Sequence, residues 1–198
     1  MQSQMQMNQV NIGAHEIMEC HEVLSCMING INQFQLLIPH CQDQNLKNIL
    51  QNQLSFMTNE YTTFVNTLQQ KGSQGQLQSV QNSFKATPTY GIKMNGVPEA
   101  PNASVNQLND RDISALMLGT HKSSAVVKMH AALELTDSQM REMLVQSSRN
   151  CADQAYETWM YMNQNGYYQV PTFDQATTKA MINSYQPNAL YSNQQQTY

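Results

Sequence analysis

Glutamate and histidine are the side chains of this sequence best suited to hold a metal ion, and their spacing decides whether they can. Helical bundles that bind two metal ions use a glutamate on each of two helices and a Glu-x-x-His pair on each of the other two. Residues three apart share one inward face. The residues three positions after Glu16, Glu60, Glu142 and Glu157 are Glu19, Thr63, Val145 and Met160. The two-metal site therefore cannot be built, and we predict no cofactor.

A weaker metal constellation depends on how the helices are ordered. If the first two helices are antiparallel about a turn at Pro39, His21 lies opposite Glu60. If the third helix runs parallel to the second, His130 falls at a similar depth and Glu134 lies one turn beyond it. These four side chains could then ligate one metal ion. The alternative without a metal ion is that these side chains hydrogen-bond to one another or reach solvent. We expect this alternative and therefore assign no metal-binding residue.

Motifs of nucleophilic catalysis and nucleotide binding are missing from the sequence. It contains no G-x-S-x-G, P-loop or dinucleotide fingerprint. The four cysteines, Cys20, Cys26, Cys41 and Cys151, form no C-x-x-C pair, which argues against a zinc knuckle or a thioredoxin-like motif. We expect them to be thiols at core or boundary positions, with a disulfide formed later in an oxidising assembly as the alternative. The prediction is a protein that is not an enzyme and has no catalytic residue.

Two long helices are predicted in the first half of the chain. An apolar seam with a period of 3.5 residues runs through 11–38 and indicates a helix that Pro39 ends. A second seam through 46–68 indicates a helix that ends at Gly72, where a left-handed cap residue would lie. The connection between them is short, so the two helices must be antiparallel neighbours.

The segment from 72 to 108 has no sustained helical period and is rich in proline and glycine. It predicts a long connection, with a short helix near 77–84 as an option. Long connections without regular structure are uncommon in compact domains. A crossover that runs the length of a bundle is one natural reason for such a connection.

Two more helices follow the crossover. Helix three is predicted to start near Asn109 or Asp110, with a seam that includes His130 and Glu134. Helix four is predicted to be capped by Thr136, with Gln139 completing a capping box, and to close at Asn165-Gly166. An aromatic cluster near its end is expected to lock it against the bundle: Trp159, Tyr161, Tyr167 and Tyr168.

The fold class predicted from this pattern is all-α: a ferritin-like antiparallel four-helix bundle with a long crossover between helices two and three. Residues 1–10 are predicted to be a flexible tail and 11–170 a single bundle domain, made of the helix pair 11–71, the crossover 72–108 and the helix pair 109–166. Residues 171–198 form a Tyr/Gln-rich tail, with room for one short helix at 174–183.

Composition and net charge limit the kinds of partner that the protein can be expected to bind. The net charge is −4, charged residues make up only 12%, and no Lys/Arg run exists, so a nucleic-acid partner is not expected. Glutamine and asparagine make up roughly a quarter of the chain, a bias that suits packing into an assembly and equally fits a host with that amino-acid preference. No apolar stretch reaches membrane-spanning length, and the start of the chain does not look like a secretory signal.

The second half of the sequence resembles the spore coat F family. The resemblance covers about 109–173 and is carried by the segments NDRDI at 109–113, GTHK at 119–122, AALE at 131–134, REML at 141–144, NCADQAYE at 150–157 and GYYQVP at 166–171, with Trp159 and Met162. These are packing and capping motifs. The resemblance implies a ferritin-like bundle made in the mother-cell cytoplasm and deposited in the spore coat, with no catalytic residues to transfer.

The function predicted from sequence is therefore a structural, non-catalytic spore coat protein. Its expected partners are other coat proteins, with self-association as an open option and no small-molecule substrate identified. Two alternatives stay open at this stage. One is a ferritin-like metal-binding redox or metal-storage protein, and the other is an adaptor module that recruits a single coat partner.

Overall fold

The computed structural model describes residues 12–69, 75–93 and 100–188, and five helices lie within them. They are α1 (Ala14–Leu37), α2 (Gln44–Gln69), α3 (Asp110–Glu134), α4 (Ser138–Gln164) and α5 (Gln175–Ile182). The same described ranges contain two 3-10 turns, at Ile38–His40 and Val105–Gln107. The prediction of an all-α chain is confirmed, and so is the short helix expected after Pro171.

Local sequence explains where the helices begin and end. Asn109 caps α3 by accepting hydrogen bonds from the N–H groups of the first turn, as predicted. The predicted cap of α4 is wrong by one residue: Asp137 accepts from the Met140 N–H, because Thr136 is occupied by Glu16. Gly166, with φ of +73°, ends α4 in the left-handed conformation that glycine tolerates. The predicted stop of α2 at Gly72 lies outside the described residues.

The four long helices form a bundle ordered up, down, down, up. His15 near the start of α1 contacts Glu134 at the end of α3, so these helices are antiparallel. Gln53 of α2 contacts His121 of α3, while Asp110 at the start of α3 binds the backbone at the start of α2, so α2 and α3 run parallel. This is the order predicted from the long crossover, whereas the ferritin-like label stays a prediction.

The crossover runs along α4 in an extended conformation. Val80 bonds to Asn150, and the Thr87 carbonyl accepts from Gln164. Seven crossover residues thus span fourteen helical residues, or about 21 Å at 1.5 Å per residue. That is about 3 Å per residue, close to the rise of a β-strand. The short helix suggested for 77–84 is therefore wrong, because side chains of α4 bind this backbone in place of carbonyls of its own turn.

The chain divides into two compact units: residues 1–88 with 98–168, and residues 89–97 with 169–198. The first unit holds the bundle, whose apolar core includes Phe34, Leu50, Phe64, Ile113 and Leu144. The second unit holds α5 and an isolated antiparallel bridge between Gly91 and Val170. The domain boundaries proposed from sequence stay a prediction. None of the helices in the described part of the chain is both long and apolar enough to cross a membrane.

Candidate functional site

The structure does not bring the four metal candidates together. His21, His130 and Glu134 are exposed, and only Glu60 is buried. Glu134 lies 3.2 Å from His15 at the bundle surface. Within the described residues no group of three or more His, Cys, Asp or Glu side chains could hold a metal ion. The alternative metal layer is therefore not formed, because the inward face of α3 carries His121 and Lys128 instead of His130.

Glu60 lies at the centre of a buried polar cluster. Its Oε2 accepts hydrogen bonds from Lys128 Nζ at 3.0 Å and Ser147 Oγ at 2.8 Å. Its Oε1 accepts from Asn150 Nδ2 at 2.9 Å. The side chains of Glu60 and Lys128 are each 4% exposed. An ion pair this deeply buried is tolerated only when further hydrogen bonds satisfy its remaining lone pairs and protons, as they do here.

Helix geometry explains why these groups meet. α2 and α3 run parallel, so Glu60 and Lys128 reach the same level from opposite corners of the bundle. Ser147 and Asn150 are three residues apart and share the inward face of α4. Burial alone would lower the pKa of Lys128, but the neighbouring Cys151 sulfur and Glu60 carboxylate raise this pKa to about 12. Lys128 is therefore an ammonium group at neutral pH.

A second polar cluster lies about two helical turns away, since its members are seven residues from those of the first on each helix. Gln53 Nε2 donates to Glu157 Oε2 at 2.9 Å, which turns Gln53 Oε1 toward His121 Nε2, also at 2.9 Å. His121 must therefore carry its proton on Nε2, an assignment that follows from the network. Burial, together with the charge of Lys128, lowers the pKa of His121 to about 3, so the imidazole is neutral.

Both clusters bind the crossover. Glu157 Oε1 accepts hydrogen bonds from the backbone N–H groups of Ser83 at 2.5 Å and Phe84 at 2.7 Å. Asn150 accepts from the Val80 N–H at 3.1 Å and donates to the Gln78 carbonyl at 2.9 Å. A segment without regular secondary structure needs outside partners for its backbone groups. The buried polar side chains of α4 supply them.

Glu16 performs a similar task at the end of the bundle where α3 and α4 are joined. Its carboxylate accepts from the Gly13 N–H at 2.8 Å and from the N–H groups of Thr136 at 2.6 Å and Asp137 at 3.1 Å. These bonds, with one from the Thr136 hydroxyl, hold the pKa of Glu16 at about 2. The carboxylate thereby fastens the start of α1 to the turn between α3 and α4.

The four cysteines are free thiols, and three of them are buried. Burial raises the pKa of Cys20 to about 11 and that of Cys41 to about 12, and it also raises the pKa of Cys151. Lys128 Nζ donates to Cys151 Sγ at 3.2 Å. Cys26 is half-buried and lies 3.5 Å from the Ser124 hydroxyl. The buried thiols are unreactive in the folded state, because the thiolate is the reactive form.

The predicted aromatic cluster at the end of α4 is confirmed. Trp159 stacks on Tyr156 and makes an edge contact with Tyr168, and Tyr161 makes one with Tyr167. The ammonium of Lys122 lies 5.5 Å from the centre of the Tyr168 ring, within the range of a cation–π interaction. These contacts fix the turn that follows α4.

Comparison with known proteins shows which part of the two buried polar clusters, together called the polar layer, lies in a known domain. The Coat F domain model matches residues 109–171. The spore coat protein F-like protein YhcQ of Bacillus subtilis (strain 168) is 32% identical over 176 residues, covering 88% of this chain and 81% of that protein. This chain belongs to the Coat F family. Its Coat F domain contains α3 and α4 and so supplies Lys128, Asn150 and Glu157, whereas Gln53 and Glu60 come from the helix that precedes the domain.

A solved structure supports the fold. The crystal structure of a candidate spore coat protein from Bacillus halodurans C-125 superposes with a TM-score of 0.59, covering 83% of this chain and 96% of that one. The two sequences are 17% identical, so the likeness concerns the fold alone. It extends beyond the Coat F domain, in agreement with a first helix pair that packs as part of the same bundle.

Proposed function

We propose that this Coat F family chain is a structural, non-catalytic component of the bacterial spore coat, made in the mother-cell cytoplasm and assembled with other coat proteins. The observation that carries the proposal is the likeness to YhcQ over most of both chains. The structure adds a physical reason. The buried ionisable groups Glu60, Lys128 and Glu157 make hydrogen bonds that hold the crossover and the helices together.

The second unit carries the features expected of a contact surface. All described residues from 171 to 188 are exposed, including every residue of α5. Phe173, Met181, Ile182 and Tyr185 are 68, 55, 67 and 84% exposed. An isolated helix of eight residues is marginal in water, because nucleation costs more than so few hydrogen bonds return. We propose that residues 171–198 bind another coat protein or a second copy of this chain, and that α5 is stabilised there.

Truncation tests this proposal. A chain lacking 171–198 should keep the far-ultraviolet circular dichroism of the bundle but be depleted from coat extracts of spores, as measured by immunoblot. The finer variant is Met181→Ser with Ile182→Ser, matched by a polar control, Gln175→Ser on α5 with Asn183→Ser in the residue that follows it. Incorporation of the truncated chain at the full-length level would refute the role of this segment.

The mode of assembly separates a coat building block from an adaptor. Sedimentation of the purified chain mixed with a coat extract should show extended, polydisperse complexes. A single complex of fixed stoichiometry would favour the adaptor function instead.

A further inference from the structure

One carboxylate in the bundle holds an amine and a carboxamide side by side. Glu60 Oε2 binds Lys128 Nζ at 3.0 Å, and Glu60 Oε1 binds Asn150 Nδ2 at 2.9 Å. All three residues are at most 5% exposed, so solvent does not compete for these contacts. The proposed coat function uses the three groups only as packing contacts and makes no use of the reactivity of an amine, a carboxyl and an amide held together.

The carboxamide of Asn150 is polarised on its oxygen side. Its Oδ1 accepts hydrogen bonds from the Val80 N–H at 3.1 Å and from Gln146 Nε2 at 2.9 Å. Two donors aimed at a carbonyl oxygen stabilise the negative charge that develops there when a nucleophile attacks the carbon. The nitrogen of the same amide faces Glu60, which lies in position to protonate it as it leaves.

Two contacts hold the nucleophile in place. Lys128 Nζ donates to Glu60 and, at 3.2 Å, to Cys151 Sγ, the residue next to Asn150 in sequence. An ammonium group is not nucleophilic, but Glu60 is within hydrogen-bond distance to accept its proton. In an interior of low dielectric, the neutral amine and acid are less costly than they would be in water, because two buried charges are removed.

We propose that Lys128 and Asn150 become joined by an intramolecular amide bond, with Glu60 transferring the protons. Glu60 takes a proton from Lys128 Nζ, and the amine attacks Asn150 Cγ. Glu60 then gives its proton to Asn150 Nδ2 and takes a second one from Nζ. The Nζ–Cγ bond forms, the Cγ–Nδ2 bond breaks with its electron pair on nitrogen, and ammonia leaves. Nothing is oxidised or reduced, so no further reactant is needed.

The structure offers the ammonia a way out. A cavity of about 270 Å³ lies beside Glu60, between α2 and the start of the crossover, and is lined in part by Asn59, Thr63 and Gln78. The product would be a covalent tie between α3 and α4 inside the bundle, 22 residues apart in the sequence and at the level where the crossover passes. It would replace a buried ion pair by a neutral amide.

Intact mass spectrometry of the full chain, denatured after purification, tests the proposal. The wild-type chain should be lighter than its sequence by one ammonia, about 17 Da. After tryptic digestion, one linked species should join the peptides containing Lys128 and Asn150, with no cleavage after Lys128. This linkage must be identified directly, because a succinimide at Asn165-Gly166 also loses ammonia.

Two carboxylates provide the test variant and its control. Glu60→Gln keeps the shape of the side chain but removes the proton acceptor, so this variant should have the full sequence mass. Asp153→Asn alters an exposed carboxylate on α4, three residues after Asn150 and outside both polar clusters, and it should retain the mass loss. If Glu60→Gln does not fold, the linked peptide of the wild-type chain decides alone. A wild-type chain at its full sequence mass, or a mass loss without the Lys128–Asn150 peptide, would overturn the proposal.

Discussion

Replacing Glu157 by alanine should destabilise the bundle and release the crossover. The variant removes the acceptor of two backbone hydrogen bonds, from Ser83 and Phe84, and of one from the buried amide of Gln53. A hydrogen bond to a charged group contributes about 1.5–3 kcal/mol. Part of the loss is offset because a buried charge disappears. We expect the free energy of unfolding to fall by about 2–4 kcal/mol, a large part of the stability of an ordinary domain.

Urea denaturation followed by circular dichroism measures this difference. The matched control is Asp153→Ala, an exposed acid one turn earlier on α4, which should change the free energy of unfolding by about 0.5 kcal/mol or less. Hydrogen exchange at Ser83 and Phe84 should accelerate in the Glu157 variant alone. Equal stability of the two variants would refute the conclusion that Glu157 holds the crossover in place.

Three further predictions concern titration and thiol chemistry. The lowered pKa of Glu16 contributes stability that is complete above about pH 4.5 and is lost as the pH falls toward 2, so Glu16→Gln should flatten the pH dependence of the urea midpoint in that window. Because the pKa of His121 is lowered in the folded state, the unfolded state binds more protons between about pH 6.5 and 3. The free energy of unfolding should therefore decrease as the pH is lowered through this range, and it should decrease less in His121→Gln. Native alkylation with iodoacetamide should label Cys26 before the three buried cysteines, which the mass of singly labelled peptides would show.

The sequence predicted the helices well because each carries its own local signals. The period of apolar residues, the cap at Asn109 and the glycine at 166 are short-range features, and the structure places helix ends at or near them. The long segment rich in proline and glycine likewise indicated a crossover, and with it the parallel course of α2 and α3.

The buried polar layer could not be predicted in the same way. The predicted face of α3 passed through His130 and Glu134, whereas the structure buries His121 and Lys128. From sequence alone, Lys128 is assigned to the surface, because a buried lysine needs a charged partner. That partner, Glu60, lies 68 positions away in the sequence. One signal was available: His121, Ser124, Lys128 and Ala131 repeat at intervals of three and four, like a seam with polar members.

The conformation of the crossover also depended on distant partners. Its backbone groups are bound by Asn150 and Glu157, and nothing in the local sequence of 77–84 specifies those contacts. The same holds for Thr136, a good helix cap by type that is taken over by Glu16 from the other end of the chain. In each case a long-range hydrogen bond sets a conformation that the local sequence does not specify.

The most direct test of the coat function is where the chain goes in a sporulating cell. A fluorescent fusion to the N-terminus, made in a spore-forming host, should move from the mother-cell cytoplasm to a shell around the forespore and remain with the coat fraction of released spores. A signal that stays diffuse in the mother cell and is absent from the coat fraction would contradict the proposed function.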